Sequence, residues 1–498
     1  MPDVDGSHFR KYIFPFENLV LEGGGAKGMA YVGALKVLED AGILRNIKRF
    51  GGTSAGSITA GFLAVGMSPQ DILDKSNENL KDILLRGSPC YLCGKCKYLW
   101  NLYNLCYHYG AYPATYFVDW YGKAIEEHLQ KVKNRRQRSG EGNPDEFDNL
   151  NGDITFAQVY NAFGKELCTV SYETEFQTEV YSHVKTSPLL EIREAVRMSM
   201  SIPVYFEAYK PAVGDIQPPV RHIDGGVSAN YPIYCFEGWW LSMDQGNTFC
   251  QQLSGIDGHA LKQNFLPDGS RQHFQVEGSA KEKERIHKKT IGACLFSDTS
   301  LEGRFQPQFN DRLDHYLRAH PDYQRLLQRP NTKFANEYRR KIERLQEDRT
   351  KFKKKLEKDL QVEDKIEEVV RAYPDLAKMR QLFDSMFTAQ DVIQMYGKDD
   401  KDAAFKMLFL NHKNEPTTTL AHNIYRNQKY LQEAKNKCLK GTFADKPTEF
   451  YAQLEEFMRK NRPMEEYDVG RSIGINVDYI TTFDFGLATE DEEFLMAH

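Results

Sequence analysis

The sequence predicts an α/β fold on parallel strands, interrupted by a long helical insertion, and three observations carry that expectation. Two strand–glycine turn–helix units come one after the other at the start of the chain. From about 300 to 465 glycine becomes scarce, charge and helical spacing dominate, and a strand pattern then returns. The 498 residues exceed what one compact core holds, so a large domain plus an insertion is expected.

In chain order, Leu19-Val20-Leu21 reads as a short buried strand stopped by Gly23-Gly24-Gly25. Met29, Val32, Leu35 and Leu38 then recur at three-residue spacing, the apolar face of a helix, with Gly42 as its C-cap. A second strand, Ile47 to Phe50, runs into Gly51-Gly52-Thr53-Ser54-Ala55-Gly56, and Ser57 to Val65 reads as a buried helix. Residues 90–120 combine four cysteines with many aromatics, and a polar loop runs from Asn134 to Asn151. Strand patterns return at Leu167–Tyr172 and Glu179–Ser182, a helix is expected over Glu191–Met200, and His222-Ile223-Asp224-Gly225-Gly226 is a strand end entering a turn. Beyond a polar insertion at about 241–285, Thr290–Phe296 reads as a buried strand, Thr332–Tyr373 as a nearly unbroken helix, and Ser472–Val477 as a strand rejoining the first sheet. The expected division is 1–300 as the main domain, 301–465 as the insertion and 466–498 as the return.

Composition narrows the classes. Hydrophobic content of 41% and charged content of 27% fit a globular chain, and a net charge of -5 gives no basic field for nucleic acid. The N-terminal stretch has no apolar signal core, and no run approaches the roughly 20 residues that cross a bilayer. A cytoplasmic setting is therefore expected, where nine cysteines, an odd number, read as thiols.

Gly52-Thr53-Ser54-Ala55-Gly56 has the Gly-x-Ser-x-Gly pattern of a nucleophile elbow in a strand–turn–helix context. The next helix offers free amides and partial positive charge to a developing oxyanion. Gly23-Gly24-Gly25-Ala26-Lys27-Gly28 has two readings. It satisfies a dinucleotide fingerprint, but the second strand ends without the acid that binds ribose. Otherwise its amides approach a substrate oxygen, with Lys27 adding positive charge. The serine needs a base, and no downstream histidine has the right setting. His222 is expected to alternate away from Asp224, which leaves Asp224, with Gly225 and Gly226 letting it face the elbow.

These three boxes, in this order, resemble the signatures of the patatin-like phospholipases. Asp153–Phe156, Ala195–Pro203 and Thr481–Phe485 are also similar to that family. The resemblance implies a three-layer α/β/α sandwich with a central, mostly parallel sheet. It further implies a calcium-independent serine hydrolase acting on acyl esters of phospholipids or neutral lipids, without a cofactor. Ser54 and Asp224 would form a catalytic dyad. The oxyanion hole would comprise Gly24, Gly25 and Ala55, aided by Lys27; Gly23, Gly28, Gly52, Gly56, Gly225 and Gly226 would be the motif glycines.

Two side signals remain. Cys90, Cys93, Cys96 and Cys106, with His108, invite a zinc reading, but the spacing lacks paired knuckles. Among aromatics and Lys95 and Lys97, they read as free or reversibly palmitoylated thiols in a wall or lid over the acyl pocket that touches membrane. Residues 331–360 hold eleven Lys/Arg against six Asp/Glu, which suits a solvated helix or an anionic lipid surface. By analogy with the family, this insertion is also where a protein activator would dock. The expected partners are thus an acyl-ester lipid, a membrane surface met peripherally and an activator, with no nucleic acid. The competing expectation is a catalytically silent scaffold with the same fold.

Overall fold

The computed structural model describes residues 5–85, 94–140, 144–211, 220–253, 272–276, 278–297, 306–421 and 464–497. It divides into two compact units, Met1–Ala335 with Ala444–His498, and Asn336–Phe443.

The first unit contains strands β1 (Asn18–Leu21), β2 (Arg49–Thr53), β3 (Gly110–Tyr112), β4 (Glu166–Glu173), β5 (Thr178–Ser182), β6 (Val204–Phe206), β7 (His222–Asp224), β8 (Thr290–Phe296) and β9 (Ser472–Asn476). The main sheet runs β5–β4–β2–β1–β8–β9, with β7 also paired to β4, and β3 pairs separately with β6. Every neighbour in the main sheet is parallel except β4 with β5 and β4 with β7. The parallel centre explains why β1 and β8 read as apolar runs and not as alternations. Both of their faces are covered, and β1 is buried at every position.

The helices that matter for the site are α1 (Ala30–Asp40), α2 (Ala55–Ala64), α3 (Pro69–Ser76), α4 (Leu80–Leu85), α5 (Gly94–His108), α6 (Thr115–Ser139), α7 (Phe156–Phe163) and α8 (Ile192–Ser199). Helix α2 is buried at every residue but Ile58, as its all-round apolar sequence demands. The α6 side chain Tyr121 stacks on Phe62 of α2 at 4.4 Å and donates to the Ile58 carbonyl at 2.9 Å. Another cluster, around Val20, Cys168 and Val170, packs against Ala229, Ile233 and Cys235 of the segment after β7. The result is a mixed α/β architecture in which helices flank a central, mostly parallel sheet.

Strand β9 joins β8 in parallel, from Gly292 opposite Ser472 to Phe296 opposite Asn476. Arg471 anchors this return by pairing with Asp468 at 2.6 Å and with Glu237. Before the second unit, the helix Gln306–Ala319 stays with the first: Phe309 stacks on Phe296 at 5.5 Å, and Arg312 donates to the Val469 carbonyl at 3.0 Å. The separate unit therefore lies inside the stretch 301–465 and is shorter than it.

That second unit has an apolar core of its own. Phe383 stacks on Phe387 at 4.5 Å and meets Phe405 edge-on at 5.4 Å, with Ile366, Val369 and Leu408 in the same cluster. Side-chain caps at Asp375, Thr388 and Asp400 start its helices Leu376–Met386, Ala389–Tyr396 and Lys401–Phe409. They accept backbone N–H bonds that would otherwise be unpaired at each helix start.

Candidate active site

Register alone brings the two predicted catalytic residues together. Thr53, the last residue of β2, lies opposite Val170 of β4, and Asp224, the last residue of β7, lies opposite Ser171. Residues Ser171 to Glu173 pair with β5 on the other side, so β7 occupies the same edge of β4 as β2. The two strands thus end head to head on one edge, offset by one residue step of about 3.3 Å. Ser54 comes directly after one end and Asp224 is the other. Each is only 5% exposed.

Ser54 has φ 52° and ψ -125°, a conformation that a non-glycine residue rarely adopts. Its surroundings hold it there. The Ser54 N–H donates to Ser199 Oγ at 2.9 Å, and Ser199 Oγ donates to the Val170 carbonyl at 2.5 Å. Ser57 Oγ donates to the Ser54 carbonyl at 2.6 Å, and Thr53 Oγ1 to the Ala229 carbonyl at 2.8 Å. The turn is therefore pinned to β4, to α8 and to the segment after β7.

Asp224 is fixed by its own turn. Its Oδ1 accepts from the Gly226 N–H at 2.7 Å, and its N–H donates to the Ser201 carbonyl at 2.8 Å. Ser201 in turn is held by Arg197, which is fully buried. The guanidinium donates to Ser201 Oγ at 2.5 Å and to the carbonyls of Pro113 and Glu207 at 2.9 and 3.0 Å. Burial pulls the Arg197 pKa down to about 10, which leaves it a cation at neutral pH.

One side chain, Asn230, ties the two loops together. It donates to the Gly23 carbonyl at 3.1 Å and to Glu22 Oε1 at 2.8 Å. Its Oδ1 would stand 2.4 Å from a Cβ on Gly23 and 2.8 Å from one on Gly226. The same imagined Cβ on Gly23 would lie 3.1 Å from Ser54 Cβ. The glycine box, the elbow and the Asp-Gly-Gly turn are therefore in contact. Glu22 Oε2 also accepts from the Leu295 N–H at 2.7 Å, which seats the box on β8.

Within the glycine box the amides divide by use. Gly23 N–H donates to the Asn230 carbonyl, Ala26 N–H to the Thr482 carbonyl, each at 3.0 Å, and Lys27 N–H to the Gly24 carbonyl at 3.2 Å. Among the described residues, the N–H groups of Gly24, Gly25 and Ala55 have no such acceptor. Ala55 is the first residue of α2, where such an N–H is expected to be unpaired. Lys27 is not in the wall of the adjoining cavity, whereas Gly25, Gly28, Ser54 and Ala55 are.

That cavity is apolar. It holds about 780 Å³ of space including its open mouth, and its wall includes Met29, Ile58, Phe62, Leu84, Phe117 and Phe485. Apart from Met29, just ahead of α1, these come from α2, α4, α6 and the C-terminal return, so the two ends of the chain build one wall.

His222 is two residues from Asp224, and residues two apart on a strand share a face. Both are buried, with Ile223 between them half-buried, so the expected divergence of His222 from Asp224 is not observed. His222 Nδ1 lies 3.2 Å from Ser171 Oγ. Burial lowers its pKa to about 4. The folded state thus resists a proton that the unfolded chain accepts near pH 6.5, and stability falls as pH drops from about 6.5 to about 4. The expected loss is about 3 kcal/mol. Thermal melts at pH 7 and pH 5 check this: His222→Gln is expected to show a shallower fall than the parent, and an equal fall refutes the assignment.

Cys90 and Cys93 lie outside the described residues, as does the side chain of Cys96, and Cys106 is exposed on α5. Ser199, Asn230 and the Thr482 carbonyl are three of the positioning groups to which sequence reading gives no role. Of these only Ser199 and Thr482 lie within family-like stretches, Ala195–Pro203 and Thr481–Phe485. No helix among the described residues is long and apolar enough to cross a membrane.

Elbow, glycine box and strand-end carboxylate thus meet on this sheet beside an apolar cavity. The family model of patatin-like phospholipases matches residues 19–235. Uncharacterized protein R571 of Acanthamoeba polyphaga mimivirus is 32% identical over 249 residues, covering 49% of this chain and 68% of its own length. The probable lipid hydrolase 463L of Invertebrate iridescent virus 6 is 24% identical over 221 residues, covering 44% of this chain and 62% of that protein. Among solved structures, VipD from Legionella pneumophila aligns with a TM-score of 0.32 and 19% identity over 61% of this chain and 56% of that one. The chain belongs to the patatin-like phospholipase family.

Proposed function

We propose that the protein is a lipid acyl hydrolase of the phospholipase A or lysophospholipase type, acting through Ser54 and Asp224. The observation that carries the reading is the head-to-head meeting of β2 and β7 on one edge of β4, beside an apolar cavity whose wall includes Ser54. Asp224 accepts the Ser54 hydroxyl proton as Oγ attacks the ester carbonyl. The unpaired amides of Gly24, Gly25 and Ala55 donate to the oxyanion, while Lys27 contributes charge from outside the cavity. Collapse of the tetrahedral intermediate expels the alcohol, which takes the proton, and leaves the acyl group on Oγ. Water activated by Asp224 then releases the fatty acid. Protein groups supply base, nucleophile and oxyanion donors, so the chemistry needs neither calcium nor another cofactor.

A fluorophosphonate probe tests the nucleophile directly. Labelling is expected on Ser54, with fatty acid released from phospholipid by the unlabelled protein. A purified, folded protein that neither labels nor releases fatty acid, with lipid and candidate activators present, would instead be a silent scaffold.

A further inference from the structure

Helix α5 is built inside out. Its apolar residues Leu99, Leu102, Tyr103, Cys106 and Tyr107 keep the three- and four-residue spacing of one helical face. In a globular chain such a stripe faces the core, yet here it faces outward. Leu99 is 68% exposed, Leu102 55% and Tyr107 69%. The polar residue Asn104 takes the inward position, only 2% exposed, and the Trp100 Nε1 is also buried.

The stripe also sits next to the substrate cavity. Strand β3 begins two residues after α5 ends and pairs with β6, Gly110 opposite Val204 and Tyr112 opposite Phe206. Phe206 is part of the cavity wall, and so are Phe117 and Trp120 on α6, the next element after β3. Tyr109 and Val204, at the start of this pairing, are both exposed, and Arg221 lies over the Tyr109 ring at 5.0 Å. Helix α5 is therefore linked to the cavity wall through β3, whose Tyr112 meets Tyr205, itself 6.0 Å from the wall residue Phe485.

We propose that the Leu99–Tyr107 face of α5 is the surface by which the protein docks on a phospholipid bilayer. Leucine and tyrosine on one side of a helix suit the boundary between headgroups and acyl chains, where the tyrosine ring is buried and its hydroxyl stays wet. From Leu99 to Tyr107 the stripe extends about 12 Å, enough to lie flat in that boundary. Docking on this face sets the cavity wall beside the lipid layer, so that an acyl chain moves from bilayer to cavity without crossing bulk water. The inference rests on the lipid-hydrolase reading for its purpose but not for its test.

The test uses the full chain carrying Ser54→Ala, so that binding is read without turnover, with Leu102→Ser and Tyr107→Ser added on the α5 face. Sedimentation with vesicles of phosphatidylcholine and phosphatidylglycerol is expected to show binding by the Ser54→Ala protein and about tenfold weaker partitioning with the two α5 changes. With Ser54 intact, the same two α5 changes are expected to lower vesicle hydrolysis while leaving hydrolysis of a soluble short-chain ester unchanged. Equal vesicle binding by both proteins, with melting temperatures matched, overturns the proposal. So does self-association of the parent that the α5 changes abolish, which would assign the face to a second copy. Loss of soluble-ester hydrolysis in the parent would refute the enzyme reading alone, because vesicle binding is measured separately.

Discussion

Ser54→Ala is expected to lower ester hydrolysis by about 10³-fold or more with the fold retained, because it removes the hydroxyl proposed to carry the acyl intermediate. The alanine keeps the backbone bond to Ser199 Oγ and removes only the hydroxyl. Asp224→Asn is expected to lose about 10²- to 10⁴-fold, since an amide cannot take the Ser54 proton. Its carbonyl can still accept from the Gly226 N–H, so the turn is kept. The two losses are not expected to add, because nucleophile and base act in one step. Steady-state rates with a soluble ester, alongside melting curves, check all three proteins. Activity of either single variant within about tenfold of the parent sinks the dyad.

Gly56→Ala is expected to destabilise the fold strongly. A Cβ there would stand 2.3 Å from the Leu21 carbonyl oxygen and 2.6 Å from that of Glu22. Both are backbone atoms at the end of β1, and neither can swing aside. Across the elbow, a Cβ on Gly52 would lie 2.5 Å from the Gly56 carbonyl carbon and oxygen. The Gly-x-Ser-x-Gly spacing is thus a packing requirement: strand end and helix start touch through their backbones on either side of the serine. Forcing α2 away from β1 is expected to cost about 3 kcal/mol, at the upper end of overpacking penalties. Thermal or urea unfolding measures it. Gly246→Ala, with nothing within 4 Å of the added carbon, serves as the neutral control. Equal stability of the two variants would show that the elbow tolerates side chains after all.

Much of this is legible because parallel strands and tight turns leave local marks. The run Leu19–Leu21 and the stretch Thr290–Phe296 have to be apolar on both faces, and both are central strands. The second strand reads as ending at Phe50, because Gly51 and Gly52 weaken strand propensity. In the structure it continues to Thr53, because the two glycines admit Cys235 on one face and α2 on the other. The elbow serine and the strand-end aspartate are readable from flanking glycines. Their support is not. Ser199 and Asn230 act through two hydrogen bonds each to residues far away in sequence, and an isolated serine or asparagine carries no periodic signal. The same holds for the boundary of the helical unit. Helix Gln306–Ala319 shares the charge pattern of the long helix Lys333–Arg371, and the contacts of Phe309 with Phe296 and β9 and of Arg312 with Val469 assign it to the first unit.

The bond from the Ala26 N–H to the Thr482 carbonyl has a consequence for the order of assembly. The glycine box and the carbonyl that fixes it stand about 450 residues apart along the chain, with the whole helical unit between them. Closing that contact closes a loop of that length, a non-local pairing that slows folding more than it costs in stability. The box is therefore set only after segments from both sides of the helical unit have come together in the first unit.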